Sequence, residues 1–155
     1  MDTRLISSIR ILPSSKTTFK TEVDFRFFIE NTVINRGGYY YFPNTMMKCP
    51  INSLVLFQYC AKIRAMGILI DRDKERGVNE QGDEYAGYYR FDIHSLKYLD
   101  VPIDKDMLQS VYPEFSGFNQ TKQIIALEYL YPIIDLLGRT NNISIFQNIT
   151  GNDIG

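Results

Sequence analysis

The side chains that could carry out nucleophilic or acid–base chemistry are few and scattered in this sequence. His94 is the sole histidine, and the two cysteines, Cys49 and Cys60, show neither C-x-x-C spacing nor a neighbouring histidine cluster. A structural zinc site needs four ligands, and these three residues do not supply them. We therefore predict that this chain has no catalytic residue, no metal site and no cofactor, and that its cysteines are reduced thiols.

Acidic pairs occur at Asp71 and Asp73 and again at Asp83 and Glu84, within the polar segment 71–87. Paired carboxylates can bind Mg²⁺ or transfer protons. Here, however, arginine and lysine alternate with them, which is typical of a solvated surface loop. No glycine-rich phosphate loop occurs anywhere in the chain. We interpret the segment as a long hairpin loop without chemistry of its own.

Aromatic residues are the most distinctive feature, with eleven tyrosines, ten phenylalanines and no tryptophan. Tyrosine hydroxyls need water or a hydrogen-bond partner, so some of these rings are expected to face a ligand. The run 39–42 and residues 59, 88 and 89 lie on predicted strands that can converge on one side of a curved sheet. Packing in the core is the alternative interpretation for each ring.

Composition limits the remaining choices. The chain has 155 residues, of which 45% are hydrophobic and 23% charged, which fits one folded domain. Its formal net charge is −1, so nucleic-acid binding would depend on a local basic patch. No apolar run approaches the roughly 20 residues that span a membrane, and Arg4, Arg10 and Pro13 interrupt any signal peptide. We expect a cytoplasmic protein with no membrane partner.

The order of predicted elements indicates an α+β fold with a curved antiparallel or mixed sheet. A helix is expected from Lys20 to Ile34, with Ser15 or Thr21 as N-cap and Val23, Phe27 and Phe28 on its apolar face. Strands are expected at residues 5–12, 39–42, 54–59, 63–70, 88–93 and 96–101, where β-prone runs lie between turn residues.

The C-terminal third is predicted to be helical. Asp104 is a candidate N-cap of a short helix. Asn119 is a candidate N-cap of a longer one, kinked or divided at Pro132. Ile124, Leu127, Leu130 and Tyr131 would form its apolar face. We predict a recognition domain over residues 1–138 and a tail or linker to a further domain over 139–155.

Several segments in succession resemble PUA-like domains of the EVE and ASCH-like branch. Pro50 to Ile70 (PINSLVLFQYCAKIRAMGILI) is similar to the central hairpin of such domains. The later segments GYYRFD, VPID, YPEF and GFNQTKQII resemble N-terminal modules of modification-dependent restriction endonucleases, and the similarity covers residues 39–137. The resemblance implies a curved sheet or pseudo-barrel of five to six strands, flanked by helices, with a concave pocket.

What the resemblance implies about function is recognition of a modified base, such as 5-methylcytosine, by base flipping into an aromatic pocket. The partner would be double-stranded DNA, acting with a nuclease domain or subunit in a restriction system. The residues expected to hold the base are Tyr41, Phe42, Gln58 and Tyr59; those expected to hold the DNA backbone are Arg36, Lys48, Lys62, Arg64 and Lys122. The alternative is a PUA-like module that binds RNA or protein without reading a modification.

Overall fold

A β-hairpin lies at the centre of the fold. The computed structural model describes residues 6–118 and 123–142. Strands β3 (Ser53–Tyr59) and β4 (Lys62–Asp73) are antiparallel and are joined by Cys60 and Ala61 alone. Both turn residues have positive φ, 51° and 59°, as the tightest hairpin turns require. The predicted central hairpin is confirmed.

The strands around this hairpin form a mixed, curved sheet. Besides the hairpin it contains β1 (Ser8–Ser14), β2 (Tyr39–Phe42), β7 (Gly87–Phe91), β8 (Lys97–Ile103) and β9 (Gln123–Ile125). These seven strands of the described residues have the order β2-β7-β4-β3-β1-β9, with β8 also paired to β4. Strand β4 pairs with β8 along its first half and with β7 along its second half, so the sheet bends along β4. The α+β class is confirmed, with more strands than the five or six expected.

Both faces of β3 are buried, and the two faces belong to different hydrophobic clusters. Leu54 and Leu56 pack in a cluster with the C-terminal helix α4 (Leu130–Asn141). The alternate residues, including Val55 and Phe57, pack in a cluster with the N-terminal helical segment. A strand covered on both sides reads as a continuous apolar run, which explains the LVLF sequence.

The N-terminal helical segment consists of α1 (Glu22–Phe27), a π-helical turn (Phe28–Thr32) and α2 (Val33–Asn35). Thr21 caps it through a capping box with Asp24, as predicted. The predicted apolar face is confirmed only for Phe28, which is half-buried against the same cluster, whereas Val23 and Phe27 are 77% and 61% exposed. The fully buried side chains are Phe25, Ile29 and Val33, a second apolar set with the same four-residue spacing.

The C-terminal region departs most from expectation. Residues 123–125 form strand β9, which pairs with β1, and a 3₁₀ turn (Leu127–Tyr129) leads into α4. Pro132 lies in the first turn of α4, where proline is tolerated, so no kink is needed. Ile124, Leu127 and Tyr131 are exposed, and only Leu130 of the predicted face is buried. Asn119 and the tail beyond 142 lie outside the described residues.

Short elements complete the chain. Segment 71–87 contains the end of β4 and a small hairpin of β5 (Gly77–Val78) and β6 (Glu84–Tyr85). Asp104 caps α3 (Lys105–Gln109) through its side chain, as predicted. Across residues 6–118 and 123–142, no helix combines the length and the apolar character needed to cross a membrane.

Asn141 fastens α4 to the sheet, and its removal should destabilise the fold. Its amide accepts a hydrogen bond from Val101 N (2.7 Å) and donates one to Val101 O (3.2 Å). We expect Asn141→Ala to lower the free energy of unfolding by about 1–3 kcal/mol. Arg139→Ala, on the exposed side of the same helix, should change it by less than about 0.5 kcal/mol. Urea denaturation of both variants measures the difference; equal values would contradict the role of Asn141.

Candidate functional site

An aromatic cleft of about 480 Å³ opens between the N-terminal helical segment and the edge strand β2. Phe27, Phe28, Tyr40, Tyr41 and Pro43 form its apolar lining. The rest of the lining is polar apart from Phe19, and consists of Thr18, Asp24, Thr32, Arg36, Asn79, Gln81 and Asp83. We refer to this space as the aromatic cleft. A concavity that combines aromatic surface with polar groups can bind a ligand and fix its orientation.

Strand alternation distributes the rings of β2 between the two faces of the sheet. Tyr40 and Phe42 pack against the hydrophobic cluster beneath the helical segment, where the Tyr40 ring meets Phe28 at 5.4 Å. Tyr39 and Tyr41 point the other way, and Tyr41 stacks on Tyr85 with centroids 4.1 Å apart. Burial raises the pKa of Tyr40, so its hydroxyl remains a proton donor at neutral pH.

The β5–β6 hairpin forms one wall of the cleft and is held there by the ion pair between Arg36 and Glu80 and by the stacking of Tyr85 on Tyr41. Arg36 donates to both carboxylate oxygens of Glu80, with Nη2–Oε2 at 2.6 Å and Nε–Oε1 at 3.0 Å. The Arg36 guanidinium also lies 4.8 Å from the centre of the Tyr41 ring. This hydrogen bonding lowers the pKa of Glu80, so the contact is complete above the ordinary carboxyl pKa and is lost as pH falls through the lowered value.

Two further spaces adjoin the aromatic cleft beyond Pro43, and the second of them is basic. A space of about 310 Å³ shares Tyr40 and Pro43 with the aromatic cleft. It also shares Phe42, Asn44 and Thr45 with a space of about 320 Å³. Lys48, Lys74 and Arg76 line this last space, and all three are exposed. We call the whole path the groove; it is aromatic at one end and cationic at the other.

The loop beneath the basic end is fastened to the sheet. Arg10 Nε donates to the carbonyl of Lys48 at 3.0 Å, and Arg72 Nε donates to the carbonyl of Cys49. The amide of Met47 donates to the hydroxyl of Tyr89, whose pKa burial raises to about 12. These contacts give the groove a defined floor.

Four of the predicted site residues line the groove. Arg36 and Tyr41 lie together at the aromatic end, and Lys48 lies at the basic end. Phe42 lines the middle but is only 4% exposed, with its ring 5.0 Å from Tyr89. Its prediction as a stacking platform does not fit this burial. It supports the groove from below.

Other predicted residues lie elsewhere. Tyr59 is 1% exposed, its hydroxyl donates to the carbonyl of Phe19, and its ring stacks on Phe25 at 5.1 Å, so the predicted base contact does not fit. Arg64 is committed to the Tyr59 carbonyl (2.9 Å) and to Glu22 (3.2 Å). Lys62 is exposed at the start of β4, and Gln58 faces a different cleft. Lys122 lies outside the described residues.

Several groove residues were not among the predictions. Phe27 and Phe28 were assigned to the core, and Gln81, Lys74 and Arg76 to a loop without function. One sequence signal for the exposure of Phe27 was available, because this ring lies on the same side of the helix as charged residues. For the loop residues, tertiary contacts reveal that the hairpin lies beside β2, namely the Arg36–Glu80 ion pair and the stacking of Tyr85 on Tyr41.

Comparison with known proteins supports the fold alone. No protein-family model and no curated protein matches the sequence. The structure is similar to the crystal structure of ASCH from Zymomonas mobilis, with a TM-score of 0.54 and 12% identity over 83% of this chain and 95% of that one. A mutant of the same protein gives a TM-score of 0.52 and 11% identity over 86% and 99%. The chain therefore shares the fold of this ASCH structure, as the resemblance implied.

The Arg36–Glu80 pair should keep the β5–β6 hairpin closed against protease. We expect Glu80→Gln to speed trypsin cleavage after Lys74 or Arg76 by about 2- to 5-fold, because a half-exposed ion pair is worth at most about 1 kcal/mol. Glu84→Gln removes a charge from the same hairpin and leaves the Arg36 pair intact, so it serves as the control. Mass spectrometry of the early fragments gives the rates; equal rates for the two variants would contradict the closing role.

Proposed function

We propose that this chain is a nucleic-acid-binding module that holds one unstacked base in the aromatic cleft and the adjoining phosphates at the basic end of the groove. The observation that carries the proposal is that three adjoining spaces, which share lining residues, lead from Phe27 and Tyr40 to Lys74 and Arg76. Bases need aromatic surfaces and phosphates need cations. The chain would act by recognition, without catalysis of its own.

The aromatic end suits a base because part of its lining is already exposed. Phe27 is 61% exposed although it is a large apolar ring. A base stacked on such a ring contributes about 1–3 kcal/mol, which helps to offset the cost of unstacking it. Gln81 at the edge of the cleft carries both a donor and an acceptor for the edge of a base.

The basic end supplies charge that the chain as a whole lacks. Lys48, Lys74 and Arg76 lie around one space, and their exposure leaves them available to phosphate oxygens. The nearby carboxylate of Asp71 does not line this space; it accepts a hydrogen bond from the Tyr88 hydroxyl. A chain of net charge −1 thus presents a local cationic surface beside an aromatic one.

The finer form of the proposal is that the base is a modified cytosine flipped out of duplex DNA. The resemblance to modules of modification-dependent restriction endonucleases supports it, as does the size of the cleft, and a nuclease domain or subunit would then act on the bound DNA. A single methyl group changes binding by about 1–3 kcal/mol, which limits discrimination to about 10- to 200-fold.

A titration with three labelled probes of equal length tests both forms. The probes are a duplex with one central 5-methylcytosine, the unmodified duplex, and an unmodified single strand. The finer proposal requires the methylated duplex to bind at least about 10-fold more tightly than the unmodified one. Equal affinity for the two duplexes removes the modification readout, and absence of binding to all three removes the nucleic-acid proposal.

Phe27→Ala should weaken nucleic-acid binding by about 5- to 150-fold, because it removes a stacking surface worth about 1–3 kcal/mol. Tyr131→Ala is the matched control, since this ring is equally exposed, at 61%, on α4. Thermal unfolding should shift little in either variant, because both rings face solvent. Fluorescence anisotropy with the tightest probe measures the effect. If Phe27→Ala and Tyr131→Ala bind the probe with equal affinity, the base does not stack on Phe27.

Replacing Lys74 and Arg76 together by alanine should reduce the salt dependence of binding. Each lost phosphate contact lowers the slope of log K against log salt concentration by about 0.9 for duplex DNA, so the double variant should lose about 2. A control that replaces Lys97 and Arg139, two exposed cations away from the groove, should retain the wild-type slope. If the slope is unchanged in both variants, Lys74 and Arg76 do not contact phosphates and the proposed role of the basic end is wrong.

A further inference from the structure

The two ends of the groove carry opposite charge. Among the described residues that line the aromatic cleft, the charged ones are Asp24, Asp83 and Arg36. The guanidinium of Arg36 donates to both carboxylate oxygens of Glu80, so its charge is compensated within the protein. The aromatic cleft is therefore left with the negative charge of two carboxylates, whereas the charged residues that line the basic end are all cations.

Both carboxylates are fixed at the cleft, one on each of two walls. Asp24 lies in the first turn of α1, and its Oδ2 accepts a hydrogen bond from the amide of Thr21 at 3.2 Å. Asp83 lies on the β5–β6 hairpin, where its amide donates to Asn79 Oδ1 at 3.0 Å and its carbonyl accepts from the amide of Asn79 at 2.9 Å. These bonds to Asn79 use the backbone of Asp83, so its exposed carboxylate can meet a ligand.

The aromatic rings beside these carboxylates favour a cation for a second reason. The face of an aromatic ring attracts positive charge, and Phe27 exposes most of its ring at the cleft. A neutral base that stacks on this ring gains the stacking energy alone. A positively charged base gains stacking, cation–π attraction and attraction to the carboxylates of Asp24 and Asp83. The charge of the cleft therefore distinguishes bases that have the same size but a different charge.

We propose that the aromatic cleft selects a base that is positively charged because one of its ring nitrogens is methylated, as in 3-methylcytosine. The base stacks on Phe27, its exocyclic amine donates to the carboxylate of Asp83, and the adjoining phosphates lie at the basic end. Such a nucleotide has a positive base beside negative phosphates, which matches the opposite charges of the two ends of the groove. The inference rests on the proposed function, since it requires a base to enter the aromatic cleft.

The isomers 3-methylcytosine and 5-methylcytosine form the matched pair that tests this inference. Each carries one methyl group, and at neutral pH only 3-methylcytosine is a cation. The probes are two labelled single strands of the same sequence with one of these bases at the centre. Neither base is paired in a single strand, so the cost of unpairing does not enter the comparison. We expect the full chain to bind the 3-methylcytosine strand about 3- to 30-fold more tightly, as one cation–π contact and one exposed ion pair together provide.

The outcomes separate this inference from the proposed function. Equal affinity for the two strands, or tighter binding of the 5-methylcytosine strand, would overturn the inference and leave the proposed function standing. Absence of binding to both strands would overturn the inference as well, and the titration with duplex probes then decides the proposed function by itself.

Asp83→Asn removes one carboxylate charge from the cleft and keeps the shape and the backbone bonds of residue 83. This variant should reduce the preference for 3-methylcytosine over 5-methylcytosine by about 1.5- to 5-fold, the effect of one exposed ion pair, and leave the affinity for the 5-methylcytosine strand nearly unchanged. Glu84→Gln is the matched control, because Glu84 is exposed on the same hairpin and does not line the cleft. Fluorescence anisotropy gives both affinities for each variant. If Asp83→Asn keeps the wild-type ratio of affinities, the carboxylate does not select the base and the inference is wrong.

Discussion

The burial of β3 on both faces is the constraint on which the rest of the structure depends. Each residue of this strand is buried, so each face requires a cover. On one face the cover is α3, α4 and the phenylalanines between them; on the other it is the N-terminal helical segment. The aromatic cleft lies at the border of that second cover, where Phe28 of the helical segment meets Tyr40 of the edge strand β2. The aromatic residues there lie at the border between core and solvent.

This geometry explains how much of the site could be predicted from the sequence. The strands, the hairpin turn and two helix caps follow from local patterns, and these predictions are confirmed. Tyr41 and Arg36 could be placed because they lie next to the Gly37-Gly38 turn that brings α2 and β2 together. The fold itself was accessible because the hairpin sequence reflects its double burial.

The differences between the predictions and the structure have the same physical source. When both faces of a sheet are covered, alternation along a strand no longer indicates which ring is exposed, and the burial of Tyr59 and Phe42 was not predicted for that reason. Phe25 and Phe27 are two positions apart on one helix, and only the packing against β3 decides which is buried. The strand at 123–125 has the apolar residues of a helix, and its pairing with β1 overrides that local preference.

The three bonds that tie residues 47–49 to the sheet have a consequence for the kinetics and entropy of binding. A loop fixed by Arg10, Arg72 and Tyr89 has already lost its conformational freedom when the chain folds. A partner that arrives at the basic end therefore meets cations on a rigid base, and association requires little reordering of the backbone. The entropic cost of ordering this loop is part of the free energy of folding and is not subtracted from the free energy of binding.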